Sequence, residues 1–152
     1  MTPFIRRMIL ADIDQVVEID RASFSLPWPP RSFQYELTDN AASRSWVAEF
    51  EGRIVGMIVI WMIVDEAHIA TIAVLPDYRR QGIGEKLLLH ALARARNEGA
   101  HKAFLEVRAG NAAAQDMYRK YGFLVDGRRP RYYKDNNEDA VLMSLNGLPE
   151  EQ

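Results

Sequence analysis

The 152-residue chain contains no cysteine. That single absence excludes disulfides, thiolate metal ligands and an acyl-cysteine intermediate. Histidine is scarce: His68, His90 and His101 stand apart, without the spacing of a metal site. No metal is therefore expected. Neither sign of charge dominates. Nineteen Lys and Arg against 21 Asp and Glu leave a formal charge of −2, which argues against general affinity for nucleic acid or an anionic membrane. Long apolar runs are also missing: the longest, Val55–Val64, includes Gly56 and is far too short to cross a bilayer. Met1–Leu10 carries Arg6 and Arg7 with no apolar h-region behind them, so a cytoplasmic protein is the default expectation. No G-x-S-x-G elbow is present, which removes an acyl-serine route. The length suits one domain, 1–152, with a core over about 5–145 and a frayed tail over 146–152.

What is there centres on Ile69–Leu92, which reads as strand, turn and helix. Ile69–Val74 is β-rich and apolar on both faces, as a buried strand should be. Pro76 cannot extend the ladder. Ile83, Leu87, Leu88, Ala91, Leu92 and Ala95 then repeat at helical spacing, and Gly99 closes the helix. A glycine-flanked helix start offers unpaired N–H groups and the positive end of a dipole, and Gly82 and Gly84 let an anion come close. A phosphate-bearing ligand is expected here. It is not a Walker A nucleotide, because Glu85 follows Gly84, and not a dinucleotide, because Leu87 stands where a third glycine should be. The pattern is R-x-x-G-x-G, led by Arg79. It is similar to the coenzyme A pyrophosphate loop of the GNAT superfamily of N-acetyltransferases. The plain alternative is a tight strand-to-helix turn.

The remaining elements follow in order. Arg6–Leu10 reads as a first strand. Asp12 caps a helix that ends near Ser23, with Gln15 as capping-box partner. Phe24–Pro30 is an ordered loop, because three prolines forbid helix. A second helix covers Arg31–Leu37. Ser45–Phe50, Ile54–Val64 and Ala67–Val74 form an antiparallel meander. Ala103–Ala109 returns parallel to the strand before the long helix. Asn111 caps a further helix, and Gly122 ends it. Phe123–Asp126 and Ala140–Leu145 are the last strands, around a basic segment, Arg128–Lys134. This is an α+β arrangement on one mixed sheet, and its ligand crevice lies outside the carboxyl ends of the parallel pair.

Two residues could carry chemistry. Glu106 sits mid-strand, where an unpaired carboxylate is costly. It is either paired with Arg108 or a neighbouring strand's donor, or it is a general base whose pKa burial raises toward neutrality. Tyr118 shares a helix face with Ala114, Met117 and Tyr121. It is either core or an acid that protonates a leaving group, a transfer to a thiolate that needs no tuning at ordinary pKa values.

Leu105-Glu106-Val107-Arg108, Asn111-Ala112-Ala113-Ala114, Tyr118 and Tyr121-Gly122-Phe123 resemble the core of the RimI-type ribosomal-protein-alanine N-acetyltransferases, a branch of the GNAT superfamily. Pro27-Trp28, Asp65-Glu66-Ala67, Ile72-Ala73-Val74, Tyr132-Tyr133 and Glu138-Asp139-Ala140 extend the resemblance from about Ile9 to Leu145. The resemblance implies a GNAT fold: a mixed central sheet, helices on both faces, and a splayed parallel strand pair at the acetyl-CoA site. It implies that Ile72, Ala73 and Val74 line the pantetheine arm, with backbone hydrogen bonds at Ile72 and Val74. Arg79 leads the loop, and Arg80, Gln81, Gly82, Ile83, Gly84 and Glu85 surround the pyrophosphate. Asn111 contacts the pantetheine. Glu106 is the general base, through water, and Tyr118 protonates the thiolate. Acetyl-CoA is the cosubstrate, and the acceptor is the N-terminus of a ribosomal or other protein. Pro29-Pro30 stands where the branch often has Ser after Pro-Trp, which stiffens the substrate-side loop. Acetylation of lysines or small amines, and a non-catalytic acyl-CoA-binding module, are the rival expectations. Direct nucleic-acid binding through Arg128, Arg129, Arg131 and Lys134 is not expected.

Overall fold

The computed structural model describes residues 2–151. In chain order the elements are β1 (Phe4–Arg7), α1 (Ile13–Ser23), α2 (Pro30–Thr38), β2 (Ser43–Phe50), β3 (Arg53–Ile63) and β4 (Glu66–Val74). They continue with α3 (Ile83–Asn97), β5 (Lys102–Arg108), α4 (Ala112–Lys120), β6 (Leu124–Tyr133) and β7 (Glu138–Asn146). One seven-stranded sheet runs in the order β1-β2-β3-β4-β5-β7-β6. All neighbours are antiparallel except β4 and β5, which α3 connects. This is the expected mixed sheet.

β3 is an interior strand, between β2 and β4, and Ile54–Ile60 are buried throughout. A run buried on both faces needs a cover on each. α3 covers one: a Cβ on Gly56 would lie 3.0 Å from Leu87 Cδ1 and 3.3 Å from Ile83 Cγ2, so glycine there lets helix and sheet close up. α1 and α2 cover the other, where Trp61 lies 6.4 Å from Trp28, whose ring in turn meets Phe33 at 5.0 Å. Leu87, Leu88, Ala91, Leu92 and Ala95 are all buried, as their helical spacing requires.

Several boundaries differ from expectation. β1 spans Phe4–Arg7 rather than Arg6–Leu10. The capping box at Asp12 and Gln15 does not form. Asp12 is 4% exposed and binds the Arg6 guanidinium through both oxygens at 2.9 Å, while Gln15 Oε1 accepts the Ile54 N–H. Tertiary partners win because an arginine offers more than a helix-end amide. The basic segment 128–134 is not a loop: β6 runs through it to Tyr133, with register shifts around Gly127 and Arg131. Its exposure, its arginines and Pro130 suit an edge strand. The residues after Asn146 do not simply fray. Leu148 is 6% exposed, its carbonyl accepts from Arg96, and Glu150 and Glu151 pair with Arg96 and Arg94 of α3. Met1 and Gln152 lie outside the described residues.

Candidate active site

β4 and β5 pair only at Glu66–Lys102, Ala67–Ala103 and His68–Phe104. Beyond that they part. β5 stays paired with β7 up to Arg108, whereas Ile69–Val74 keeps β3 alone as partner. A bulge marks the parting: Val59 faces Thr71 and Ile60 faces Ile69, so Ala70 has no partner. A bulge bends its strand and re-aims the side chains. His68 therefore faces the α1–α2 side, against Trp61 at 5.2 Å, while Val74 faces α3, in reach of Gly84. Ile72 and Val74 are half-buried, not buried as expected, because the neighbouring strand has left. The freed edge offers backbone groups to an extended ligand, as any unpaired strand edge does.

At the end of β4 the chain turns into α3. Arg80 at φ 63° and Gly82 at φ 80° are both left-handed. No backbone N–H from Arg80 to Glu85 donates to another described residue; the first helical bond runs from Lys86 N–H to the Gly82 carbonyl. Such a run of free donors at a helix start has the chemistry to hold an anion. A Cβ on Gly82 would meet nothing within 4 Å, so the space before these donors is open. Gly84 packs its bare Cα near Val74 and Met117. Two side chains in the expected ligand set are engaged elsewhere. Arg79 donates to the Val74 carbonyl at 2.9 Å and to Ser23 Oγ at 3.0 Å, so it braces the turn. Glu85 accepts from Lys120 and Tyr121, both at 3.0 Å, which hold its carboxyl below the usual range and tie α3 to α4. Gln81 bonds only weakly, to the Asp77 carbonyl at 3.4 Å, and Arg80 is exposed.

Glu106 points to the same side as His68, and His68 Nε2 donates to Glu106 Oε2 at 2.7 Å. The expected rise toward neutrality does not occur. The His68 hydrogen bond holds the Glu106 carboxyl below its ordinary range, against a desolvation that pushes it up. The partner is a neighbouring strand's donor, not Arg108. His68 is held in turn by its stack on Phe104, 4.7 Å away and nearly parallel. This histidine was missed. Its signal was present: a polar residue inside an apolar strand that pairs, in parallel, with the strand of Glu106.

Tyr118 is 5% exposed and packs on Phe123 at 5.5 Å. Burial pushes its hydroxyl well above the ordinary tyrosine range, with help from Tyr133. The gap to a thiol is therefore wider than ordinary values suggest. Tyr133 is itself pushed up to about 12, chiefly by burial, although the Arg108 guanidinium 4.0 Å above its ring pulls it down. Tyr133 also senses Glu106, so carboxylate and tyrosines share one electrostatic neighbourhood. Asn111 caps α4, its Oδ1 accepting from Ala114 N–H at 3.1 Å.

The mouth of the splay is bounded by two loops. Arg108 binds Asp135 and Glu138 at 3.1 and 3.2 Å, and Ser25 donates to Asp135. These contacts join the Phe24–Pro29 loop to the β6–β7 turn. The buried Asp20 carboxylate accepts the Trp28 N–H at 2.7 Å and fixes the same loop from below. The parting strands thus leave an unpaired strand edge, a helix start with free N–H groups, a carboxylate held below its ordinary range and a buried tyrosine pushed above its own. Among the described residues no helix is long and apolar enough to cross a membrane.

Residues 13–123 match the acetyltransferase (GNAT) family. The chain is 42% identical over 139 residues to a Bacillus subtilis (strain 168) protein named, provisionally, as a ribosomal protein bS18-alanine N-acetyltransferase. That match covers 91% of this chain and 92% of the relative. The crystal structure of the ribosomal-protein-S18-alanine N-acetyltransferase from Escherichia coli superposes with a TM-score of 0.88 at 29% identity, over 99% of this chain and 97% of that one. An N-acetyltransferase of Thermoplasma acidophilum solved in complex with coenzyme A shares the fold, with a TM-score of 0.82 at 20% identity, over 96% and 99%.

Proposed function

Because this chain belongs to the acetyltransferase (GNAT) family, we propose that it moves an acetyl group from acetyl-CoA to the α-amine of a protein N-terminus. The preferred acceptor is an N-terminal alanine on a ribosomal protein of the bS18 kind, met in the cytoplasm. The names of the similar Bacillus and Escherichia proteins support the acceptor. Acetyl-CoA supplies the activated acetyl group when bound. The residues present fit it: the free N–H groups of Arg80–Glu85 and the open face of Gly82 suit a pyrophosphate, and the unpaired edge of Ile72–Val74 suits the pantetheine amides. Asn111, at the start of α4, would contact the same arm. Arg79 and the Glu85 carboxylate hold the cradle in shape.

The observation that carries the acceptor class is the likeness to relatives named as ribosomal-protein-alanine N-acetyltransferases, and the Glu106 carboxylate, bonded to His68 at 2.7 Å and held below its ordinary range by that bond, is compatible with it. A carboxylate held below its ordinary range is a weak base. An α-amine, with a pKa of about 7.7–8.0, is partly neutral near pH 7; the neutral fraction of a lysine, with a pKa of about 10.4, is smaller by roughly two and a half powers of ten. Glu106 with His68 accepts the proton that the α-amine loses on acylation, through a water. Tyr118 holds its proton at any working pH, because burial disfavours its anion. It donates a hydrogen bond to the departing sulfur and stabilises the charge that builds there, and the released thiolate takes its proton from solvent. No cysteine is available for an acyl-enzyme, so transfer is direct within a ternary complex.

The test is a competition between a peptide with a free alanine N-terminus and the same peptide N-terminally blocked but carrying lysine. The free alanine peptide is expected to react faster. Faster acetylation of the blocked lysine peptide would overturn the N-terminal reading.

A further inference from the structure

A second cleft lies beside the splay, between α2 and the end of β3. It has a volume of about 500 Å³ and is walled by Trp28, Tyr35 and Trp61, with Glu36 and Asn40 inside and Arg31 at the rim. We propose that it is a subsite for a lysine or arginine side chain of the acceptor peptide, a few residues after its N-terminus. The inference rests on the acceptor being a peptide and adds what that peptide must carry.

Glu36 is the reason. It is only 6% exposed, yet its carboxylate has no cationic partner among the described residues. Oε1 accepts the Trp61 indole N–H, and Oε2 accepts the Asn40 amide at 2.6 Å. Both donors are neutral. A buried carboxylate is ordinarily matched by a cation; Glu36 lines the cleft, and Arg31, which lines it too, makes no ion pair with it among the described residues. The walls suit the same occupant. The rings of Trp28 and Trp61 are nearly parallel, 13° apart, and Tyr35 is 53% exposed beside them. Indole and phenol faces attract ammonium and guanidinium groups and cover an aliphatic stem.

The location fits as well. Trp61 separates the cleft from His68, 5.2 Å away, and His68 binds Glu106. An extended peptide advances about 3.3–3.6 Å per residue. With its amine at Glu106, a side chain at the second to fourth position reaches Trp61. Trp28 belongs to the loop that bounds the splay, so one loop serves both sites. Neither Glu36 nor Tyr35 takes part in the chemistry above.

The experiment uses the CoA-bound protein and alanine-first peptides with one arginine at position two, three or four. Each is paired with a twin carrying citrulline, the uncharged isostere. Dissociation constants come from calorimetry and tryptophan fluorescence, and KM and kcat from acetylation. At one position arginine should bind about tenfold tighter than citrulline, with the difference in KM and not in kcat. Glu36→Gln should bring that ratio to about one. Folding of each variant is checked by melting and CoA binding. If Glu36→Gln does not fold, Tyr35→Ser decides, since the side chain is exposed; its ratio should fall at least threefold.

A ratio of one at every position in the unaltered protein overturns the subsite, as does a full ratio in either folded variant. A preference for citrulline over arginine overturns it too. An arginine preference in binding without any acetylation sustains the subsite and refutes N-terminal acetylation. Acetylation without the preference does the reverse.

Discussion

Gly82→Ala separates the two things a glycine can do at this turn. Gly82 sits at φ 80° as the residue before α3, and a Cβ there would touch nothing within 4 Å. Sterically the methyl has room, so the cost to folding is conformational. A left-handed conformation costs an L-residue about 1–2 kcal/mol. In a chain of this length about 2–4 °C of melting temperature is lost per kcal/mol, so the variant should melt about 2–8 °C lower. The methyl also projects into the space before the free N–H groups of Arg80–Glu85. An anion kept from even one charge-assisted hydrogen bond loses about 1.5–3 kcal/mol, which is about ten- to hundredfold in affinity. Calorimetry with two ligands makes this specific. CoA carries the pyrophosphate, whereas pantetheine lacks it and uses only the strand edge. CoA affinity should fall at least tenfold while pantetheine affinity stays within about twofold. Equal losses for both ligands, or unchanged CoA affinity in a folded variant, would refute the cradle.

Three further outcomes are expected. Glu106→Gln and Tyr118→Phe should each lower kcat by roughly 10²- to 10⁴-fold with little change in CoA affinity, as loss of a proton-handling or charge-stabilising group does; near-normal turnover in both would leave an ion-pair partner and a core tyrosine. His68→Ala removes the main influence lowering the Glu106 pKa and leaves desolvation, which raises it, so the acid limb of kcat/KM should move to higher pH; a limb that stays put would mean Glu106 is not the group observed. Asp20 is 1% exposed and burial raises its pKa despite the Trp28 N–H. The folded state thus holds this proton more tightly, and stability falls as pH rises from the unfolded value, about 3.9, through the raised one. Asp20→Asn should therefore melt higher than the unaltered protein at pH 7 and alike in acid; a lower melting point at pH 7 would show that the charged form is the stabilising one.

The order of elements was legible because it rests on local signals. Helical spacing in Ile83–Ala95, the prolines Pro27 and Pro29 before α2 and the glycine-led start of α3 each act over a few residues, where the chain's own sterics decide; Pro30, expected in the loop, instead opens α2, where a first-turn proline is tolerated. The parallel return of β5 followed from its helical connection. The family resemblance rested on short stretches for the same reason. What failed were places where a local preference met a distant partner. Asp12 had the right spacing for a cap, but Arg6 and the Ile9 N–H claimed it. The strand before β7 was expected to stop at Asp126, short of the basic segment, but β7 supplied a pairing edge beyond it.

Within the site the division is the same. The sequence by itself determined which groups exist: a carboxylate mid-strand, a tyrosine on a helix face, two glycines at a helix start, and no thiol. Only the tertiary structure decided their state. The parallel pairing of β4 and β5 brought His68 to Glu106, the bulge at Ala70 put Val74 on the opposite face, and the loss of β4–β5 pairing after Phe104 opened the strand edge. Arg79 was drawn off to Val74 and Ser23. Burial fixed the proton on Tyr118. A pKa depends on what lies within a few ångströms, and for Glu106 that neighbour is 38 residues away along the chain. Periodicity can say which face a side chain occupies, but not which partner from another strand will be waiting there.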